Sequence, residues 1–272
     1  GISFPMIFLT ALISLLACLA SFGIKERQKE YYFLYLLLET GMLGVFLSLD
    51  LLIFFVFWEI GLVPMYFLIN QWGGKKRNYA SLKFMLYTIG GSLGLLLAIQ
   101  MIGVVAGTFD MPTLFATWPD LLSGKTLFGL PMETIKSIAF WAFVIAFAIK
   151  VPVWPFHTWL PDAHTEAPTA GSMVLAGVLL KLGAYGFLRL VLPLYPAESF
   201  KYAGALALLA TLAIIFGAWG AYGQNDFKRL VAYSSINHMG FQSLNLLIIH
   251  LKRPIPTNKK TSIISKGCMP AA

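Results

Sequence analysis

Charged residues are scarce in this chain of 272 amino acids. Asp, Glu, Lys and Arg make up only 12% of the sequence, whereas soluble domains carry about 25%, and 58% of the residues are hydrophobic. The mean hydropathy is +0.76. This composition excludes an ordinary soluble domain. Because many apolar runs approach the ~20 residues that cross a bilayer, we predict an all-α polytopic membrane protein.

Redox and metal motifs are also missing from the sequence. Its two cysteines, Cys18 and Cys268, lie far apart and match no metal or redox spacing. No G-x-G-x-x-G sequence follows a strand, and no cysteine cluster could hold an iron–sulfur centre. We therefore predict no cofactor and no metal in this chain. The net charge of +8 lies mainly in short linkers and the C-terminal tail, which indicates membrane orientation and no nucleic-acid partner.

Eight apolar runs predict about eight transmembrane helices. They cover roughly residues 3–22, 31–49, 51–70, 80–103, 137–160, 171–190, 201–222 and 230–250. The most basic linkers, 24–30, 71–78 and 224–229, fall on one side of the membrane. The positive-inside bias places that side in the cytoplasm and the N-terminus outside. Residues 1–250 would form the transmembrane domain, and the basic segment 251–272 is predicted to be a disordered tail.

Glu59 lies close to the middle of the predicted 51–70 span. An ionisable side chain at that depth costs about 3 kcal/mol or more on insertion scales, and a glutamate is too short to reach a membrane surface. Two interpretations are open: a structural carboxylate paired with a neighbouring helix, or a carboxylate that exchanges protons. We favour the second.

Lys150 lies near the midpoint of the predicted 137–160 span, two residues before Pro152. A proline removes one backbone donor and clashes with the carbonyl four residues earlier, here that of Ala148, so we predict a break in this helix. Broken helices at membrane depth are a recurring feature of ion sites in transporters. A partly desolvated lysine there can alternate between its charged and neutral forms. The alternative is a lysine that extends to the membrane surface.

Three further residues extend this polar set. Lys181 lies in the middle of the 171–190 span, where its charge would be coupled to that of Lys150. His157 follows Lys150 by seven residues, so both share a face if the second half-helix is regular. His238 lies near three hydroxyl-bearing residues. Each histidine is open to two interpretations, a proton relay or a satisfied buried group.

A metal site is a weaker alternative for one polar cluster. His157, Asp162, His164 and Glu166 are residue types that bind metals, but their spacing matches no helical metal motif. Prolines also interrupt the register of this segment. We therefore favour a half-helix that ends at the cytoplasmic face, with polar side chains lining a path for water.

Three motifs carry a resemblance to a known family. The sequence KVPVWPFHTWLPDAHTEAPTAGSMVLAGVLLKLGAYGFLRL, residues 150–190, closely resembles the proton-translocating antiporter-like subunits of respiratory complex I. Within that family, residues 44–69 and 230–241 resemble the M subunits of bacterial NADH–quinone oxidoreductases and their mitochondrial and cyanobacterial counterparts. The resemblance covers roughly residues 3–241. It implies a fold of about fourteen spans with two inverted repeats, of which this chain would hold the first and the opening of the second.

The resemblance also implies a function and a role for each candidate residue. Glu59 would face a neighbouring subunit and pair with Lys150, Lys181 would pass the proton onward, and His157 and His238 would lie on a water-filled axis. The chain would translocate protons in a bacterial cytoplasmic membrane, beside other antiporter-like subunits and the lipid bilayer. NADH, flavin, iron–sulfur clusters and quinone would be bound by partner subunits. A multisubunit cation/proton antiporter, a membrane-bound hydrogenase or formate complex, and a fragment that only packs against partners are the alternatives.

Overall fold

The structure, a computed structural model, describes residues 1–121, 126–127 and 129–251. Its α-helices are α1 (Ser3–Ala20), α2 (Gln28–Leu47), α3 (Leu51–Ile60), α4 (Leu62–Trp72), α5 (Arg77–Ala106), α6 (Met111–Thr117), α7 (Met132–Lys150), α8 (Trp159–Glu166), α9 (Thr169–Val174), α10 (Leu180–Gly186), α11 (Leu192–Leu194), α12 (Pro196–Lys201), α13 (Ala203–Tyr222) and α14 (Phe227–Leu251). A short antiparallel pair, β1 (Thr126–Leu127) and β2 (Leu130–Pro131), precedes α7. The predicted all-α fold is confirmed.

In the part of the chain that the structure describes, seven helical stretches are long and apolar enough to cross a membrane. They are Ser3–Gly23, Gln28–Leu47, Leu51–Trp72, Arg77–Ala106, Met132–Lys150, Thr169–Leu194 and Ala203–Tyr222. They correspond to seven of the eight predicted spans. The eighth prediction, 230–250, falls on α14, which is long enough but is not among the seven. Its sequence includes the polar residues Ser234, Ser235 and Asn237, which lower its apolar content.

The turn between α2 and α3 is held at both of its ends. Asp50 caps α3, because its Oδ1 accepts hydrogen bonds from the backbone N–H groups of Leu52 at 2.8 Å and Ile53 at 3.0 Å. The backbone on either side of Asp50 pairs with the segment that leads into α6. Asp50 therefore has a structural role: its side chain caps α3, and its backbone neighbours fix the turn between the two spans.

Helix α7 is largely buried and packs against α5 and α10. Phe147 is fully buried near its C-terminal end. Four aromatic rings surround it, with centroid distances of 6.4 Å to Phe54, 5.3 Å to Trp58, 6.0 Å to Phe143 and 5.8 Å to Phe187. This aromatic cluster fixes the position of the helix immediately before Lys150.

The predicted break at Pro152 is confirmed, but its form differs from the prediction. Lys150 is the last residue of α7, residues 151–158 form turns, and α8 starts at Trp159. Lys150 therefore lies at a helix end and not at the midpoint of one 137–160 helix.

The carbonyls freed by the break find new partners. The N–H of Val153 donates to the carbonyl of Ala148 at 2.9 Å, and the indole N–H of Trp159 donates to the carbonyl of Ile149 at 2.9 Å. These bonds replace regular helical ones that Pro152 prevents, so the buried backbone stays satisfied.

Two π-helical segments interrupt the stretch that carries Lys181. They are Leu175–Leu179 and Phe187–Val191, on either side of α10. Wide turns of this kind are rare and are frequently found at functional sites. The predicted tail begins at residue 251, but Leu251 belongs to α14, and residues 252–272 lie outside the described part of the chain.

Candidate functional site

The side chain of Lys150 is buried at the end of α7, with only 3% of the residue exposed. Its Nζ lies over the ring of Trp58, 4.9 Å from the centroid. That distance is typical of a cation–π interaction. Within the described residues, Nζ has no hydrogen-bond or ion-pair partner. The structure therefore places an amine in an apolar, aromatic environment, where few interactions offset the cost of burying its charge.

Glu59 follows Trp58 in α3 and is half-buried. Its Oε1 atom is buried without a hydrogen-bond partner. The carboxyl group lies close enough to act electrostatically on Lys150, but the two groups are not within the 4.0 Å of an ion pair. The structure thus places the carboxyl group of Glu59 near the amine of Lys150, without a direct ion pair between them.

Lys181 lies on α10, which packs directly against the end of α7. Its Nζ donates a hydrogen bond to the carbonyl of Ala176, within the first π-helical segment. Two residues further on, Gly183 is so close to α7 that an added Cβ would lie 3.1 Å from the Cβ of Lys150. The absence of a side chain at Gly183 thus permits the close approach of the two lysine-bearing helices.

His157 lies in the turns between α7 and α8, and the prediction that it shares a helical face with Lys150 is wrong. Residues 151–158 are not helical, so a seven-residue spacing does not align the two side chains. The imidazole instead packs near Tyr233, at a centroid distance of 6.4 Å, and its Nδ1 is buried with no hydrogen-bond partner among the described residues. The pKa of His157 is lowered from its ordinary value, first by burial and then by the charge of Lys83.

His238 is separate from the other four candidates. It lies on the exposed face of α14, while Ile236 and Met239 are buried. This helix is oriented by its contact with α13, where the amide of Asn237 donates to the carbonyl of Ile214 at 2.8 Å. The structure thus does not place His238 on a buried polar path, and it does not fit the interpretation as a satisfied buried group either.

The polar cluster after the break does not form a metal site. Among the described residues, no three candidate ligands come together, and the two carboxylates have other partners. Asp162 forms ion pairs with Lys83 at 2.7 Å and Arg229 at 2.9 Å. Glu166 accepts a hydrogen bond from the backbone N–H of Lys76 at 2.8 Å.

Trp58 is the site residue that sequence reasoning missed. It is one of several aromatic residues in an apolar span, so composition does not distinguish it. The available signal is its position next to Glu59, which places it beside the acidic group on the same helix. Its indole N–H donates to the hydroxyl of Ser92 at 3.2 Å, which fixes the ring under the amine of Lys150.

Comparison with known proteins places these residues in a family. Residues 48–252 match the family described as NADH:quinone oxidoreductase/Mrp antiporter, TM. NADH-quinone oxidoreductase subunit M of Rickettsia conorii is 45% identical over 247 residues, which cover 90% of this chain and 48% of that protein. NAD(P)H-quinone oxidoreductase chain 4 2 of Microcystis aeruginosa is 44% identical over 250 residues, which cover 90% of this chain and 43% of that protein.

A solved structure agrees with the sequence comparison. A chain of respiratory complex I from Thermus thermophilus with bound NADH is 34% identical, with a TM-score of 0.74, and the match covers 90% of this chain and 49% of that chain. The chain thus spans about half the length of the curated relatives it matches. The family match also continues past Phe241, where the motif resemblance ends, to residue 252. With such a match over most of its length, the chain belongs to the NADH:quinone oxidoreductase/Mrp antiporter family of transmembrane proteins.

Proposed function

We propose that this chain works as a proton-translocating membrane subunit of an NADH–quinone oxidoreductase. Electron transfer would occur in partner subunits, which would hold the flavin, iron–sulfur clusters and quinone. The observation that carries the proposal is the buried, unpaired amine of Lys150 beside Glu59, at a break in its helix. The chain would lie in a bacterial cytoplasmic membrane with its basic linkers inside and its N-terminus outside.

The proposed step depends on the distance between Glu59 and Lys150. Two opposite charges 4 Å apart attract by about 4 kcal/mol at an effective dielectric constant of 20, and this attraction weakens as they separate. A movement of Glu59 toward Lys150 therefore favours the protonated amine, and its withdrawal favours proton release. A change of a few kcal/mol alters the ratio of the protonated to the neutral amine by two to three orders of magnitude. Redox energy from partner subunits would drive this movement.

The proton would reach Lys150 from the turns after α7 and leave through Lys181. His157 is the titratable group in those turns, and its Nδ1 is buried without a partner. Lys181 lies on a helix that packs tightly against Lys150. Since no direct contact links the three side chains, water would complete the path. His238 has no part in the path that this geometry supports.

The test measures NADH-driven proton pumping and NADH oxidation separately in the assembled complex. Lys150→Ala and Glu59→Gln should each abolish NADH-driven proton pumping and strongly reduce coupled NADH oxidation, since they remove the base or its counter-charge. Lys29→Ala is the matched control, because Lys29 is exposed in the first turn of α2. Pumping at the unmodified rate in both site variants would refute the proposal.

A cation/proton antiporter subunit is the second candidate, because the matched family description covers both classes. The same residues would act, but without a redox partner. Vesicles that contain the assembled complex distinguish the two. Proton movement that needs NADH supports the first function, and proton movement driven by a sodium or potassium gradient without NADH supports the second.

A further inference from the structure

One carboxylate joins two cations at the start of α8, the short helix that follows the break. Asp162 lies in the first turn of this helix. Its Oδ2 accepts from Nζ of Lys83, on α5, at 2.7 Å, and its Oδ1 accepts from Nη2 of Arg229, on α14, at 2.9 Å. A single carboxylate therefore forms ion pairs with two cations. We call these three residues the ion triad.

The ion triad borders a polar basin at the basic end of the molecule. This basin has a volume of about 930 Å³ and opens toward solvent. Asp162 and Arg229 line it together with Lys75, Lys76, Tyr79, Glu166 and Asp226. Lys83 does not line it. The side chain of Arg229 is 46% exposed and that of Lys83 only 20%. Asp162 therefore links a solvent-exposed cation to a mostly buried one.

The enclosed member of the ion triad acts on His157. As shown above, the charge of Lys83 disfavours a proton on this imidazole. The ring also packs near Tyr233, and the adjacent Thr158 shares a hydrogen bond of 2.8 Å with Tyr87. Among the described residues, the charged and titratable groups on the elements next to this turn include Lys83 and Tyr87 from α5, Asp162 from α8, and Tyr233 and Arg229 from α14.

We propose that Asp162 is a positioning residue for proton uptake, which controls the charge that His157 experiences by pairing with Lys83 or with Arg229. This inference rests on the proposed function, because it concerns the uptake step of the same proton path. When Asp162 pairs with Lys83, it offsets the positive charge that acts on His157, and the imidazole accepts a proton from the basin. When Asp162 turns wholly to Arg229, the uncompensated charge of Lys83 repels that proton.

The two arrangements differ in which of the two bonds to Asp162 is kept. Each oxygen of Asp162 already holds one cation, so either bond can lengthen while the other stays. Because the three residues come from α5, α8 and α14, a relative movement of these helices changes which bond is shorter. The ion triad thus converts a helix movement into a change of proton affinity at His157.

The test measures the pKa of His157 directly, by NMR of isotope-labelled histidine in the full chain held in lipid nanodiscs. His157→Gln assigns the signal by removing it. Asp162→Asn should lower the pKa of His157 by about half to one unit, because Lys83 loses its counter-charge. Lys83→Met should raise it by a similar amount. Arg229→Gln should also raise it, because Asp162 then pairs with Lys83 alone.

Glu166→Gln is the matched control. Glu166 lies on the same helix and anchors it through the backbone of Lys76, but it has no bond to Lys83. It should leave the pKa of His157 unchanged, as should Asp162→Glu, which keeps the charge. The proposal is overturned if Asp162→Asn and Lys83→Met shift the pKa in the same direction, if neither shifts it, or if Glu166→Gln acts like Asp162→Asn.

Failure of this inference is distinguishable from failure of the proposed function. The NMR titration needs no NADH and no partner subunit, whereas the tests on Lys150 and Glu59 measure pumping in the complex. In that complex, Asp162→Asn should also slow pumping at neutral pH about 3- to 10-fold and move the alkaline limb of its pH profile to lower pH. Unchanged pumping in this variant would exclude a role of the ion triad in uptake.

Discussion

Replacement of Gly183 by alanine tests the close contact between the two lysine-bearing helices. A Cβ at this position would lie 2.6 Å from Cγ2 of Val151, 3.0 Å from the carbonyl oxygen of Phe147 and 3.1 Å from Cβ of Lys150. Carbon atoms pack best at about 3.5–4.0 Å, so α7 and α10 must separate by several tenths of an ångström or more. Because part of this contact is backbone, a change of side-chain rotamer does not relieve it.

The expected magnitude follows from two opposing effects. An alanine in a helix interior is favoured over glycine by about 1 kcal/mol. An added methyl group in a filled core costs about 1–3 kcal/mol through overpacking. Gly183→Ala should therefore be neutral to destabilising by about 2 kcal/mol. No atom of the described residues lies within 4 Å of a Cβ added at Gly90, on α5, so Gly90→Ala should be stabilising by up to about 1 kcal/mol.

The assay compares these two variants for thermal unfolding in detergent and for NADH-driven pumping in the complex. Gly183→Ala should unfold at a lower temperature than Gly90→Ala and should pump more slowly, because the shift of α7 changes the position of Lys150 relative to Glu59. Gly90→Ala should pump normally. Equal stability and equal pumping in the two variants would show that the close approach of α7 and α10 does not matter.

Two further predictions concern stability. Trp159→Phe should destabilise the chain by about 1–3 kcal/mol, because it leaves the buried carbonyl of Ile149 unpaired, while Trp219→Phe, at an exposed position, should have little effect on the unfolding temperature. Asp110 caps α6, and hydrogen bonds from the hydroxyl and the backbone N–H of Thr113 lower its pKa. Its stabilising effect is therefore present above the ordinary aspartate pKa of about 4 and is lost as the pH falls through its lower folded value. Asp110→Ala should lower the unfolding temperature at pH 7 but not at pH 2, and an equal loss at both values would contradict this account.

The sequence was sufficient to predict the helices because a bilayer permits few alternatives. A run of about 20 mostly apolar residues has to satisfy its backbone hydrogen bonds internally, and a helix does so. Pro152 likewise predicted a break in the helix, because a proline lacks the backbone N–H that a helical hydrogen bond needs. The place where the chain becomes helical again was not predictable. It depends on Trp159, whose indole bonds to the carbonyl of Ile149, and this contact joins residues ten positions apart.

The candidate site was predictable only in part. Lys150 and Glu59 stood out because ionisable side chains at membrane depth are costly, so each requires a partner or a function. His238 looked similar in the sequence, but the direction of its side chain depends on how α14 packs against α13. Asn237, its neighbour, instead makes a partly buried hydrogen bond to α13. Trp58 had no charge to mark it, and only the packing of α3 against α7 shows its contact with Lys150.

The segment 151–158 links two well-fixed parts of the molecule. On one side, the aromatic cluster around Phe147 fixes α7 up to Lys150. On the other, α8 is tied to its neighbours by the ion triad and by Lys228, whose Nζ donates to the carbonyl of Ala167 at 3.2 Å. α8 is thus held by charged groups near a polar basin and, at its start, by the buried indole of Trp159, which bonds to Ile149 of α7, whereas the contacts that fix α7 are buried rings. A change in the charge of Asp162 therefore acts on the charged contacts of α8 and not on the buried rings around α7, and the turns that carry His157 lie between these two sets of contacts.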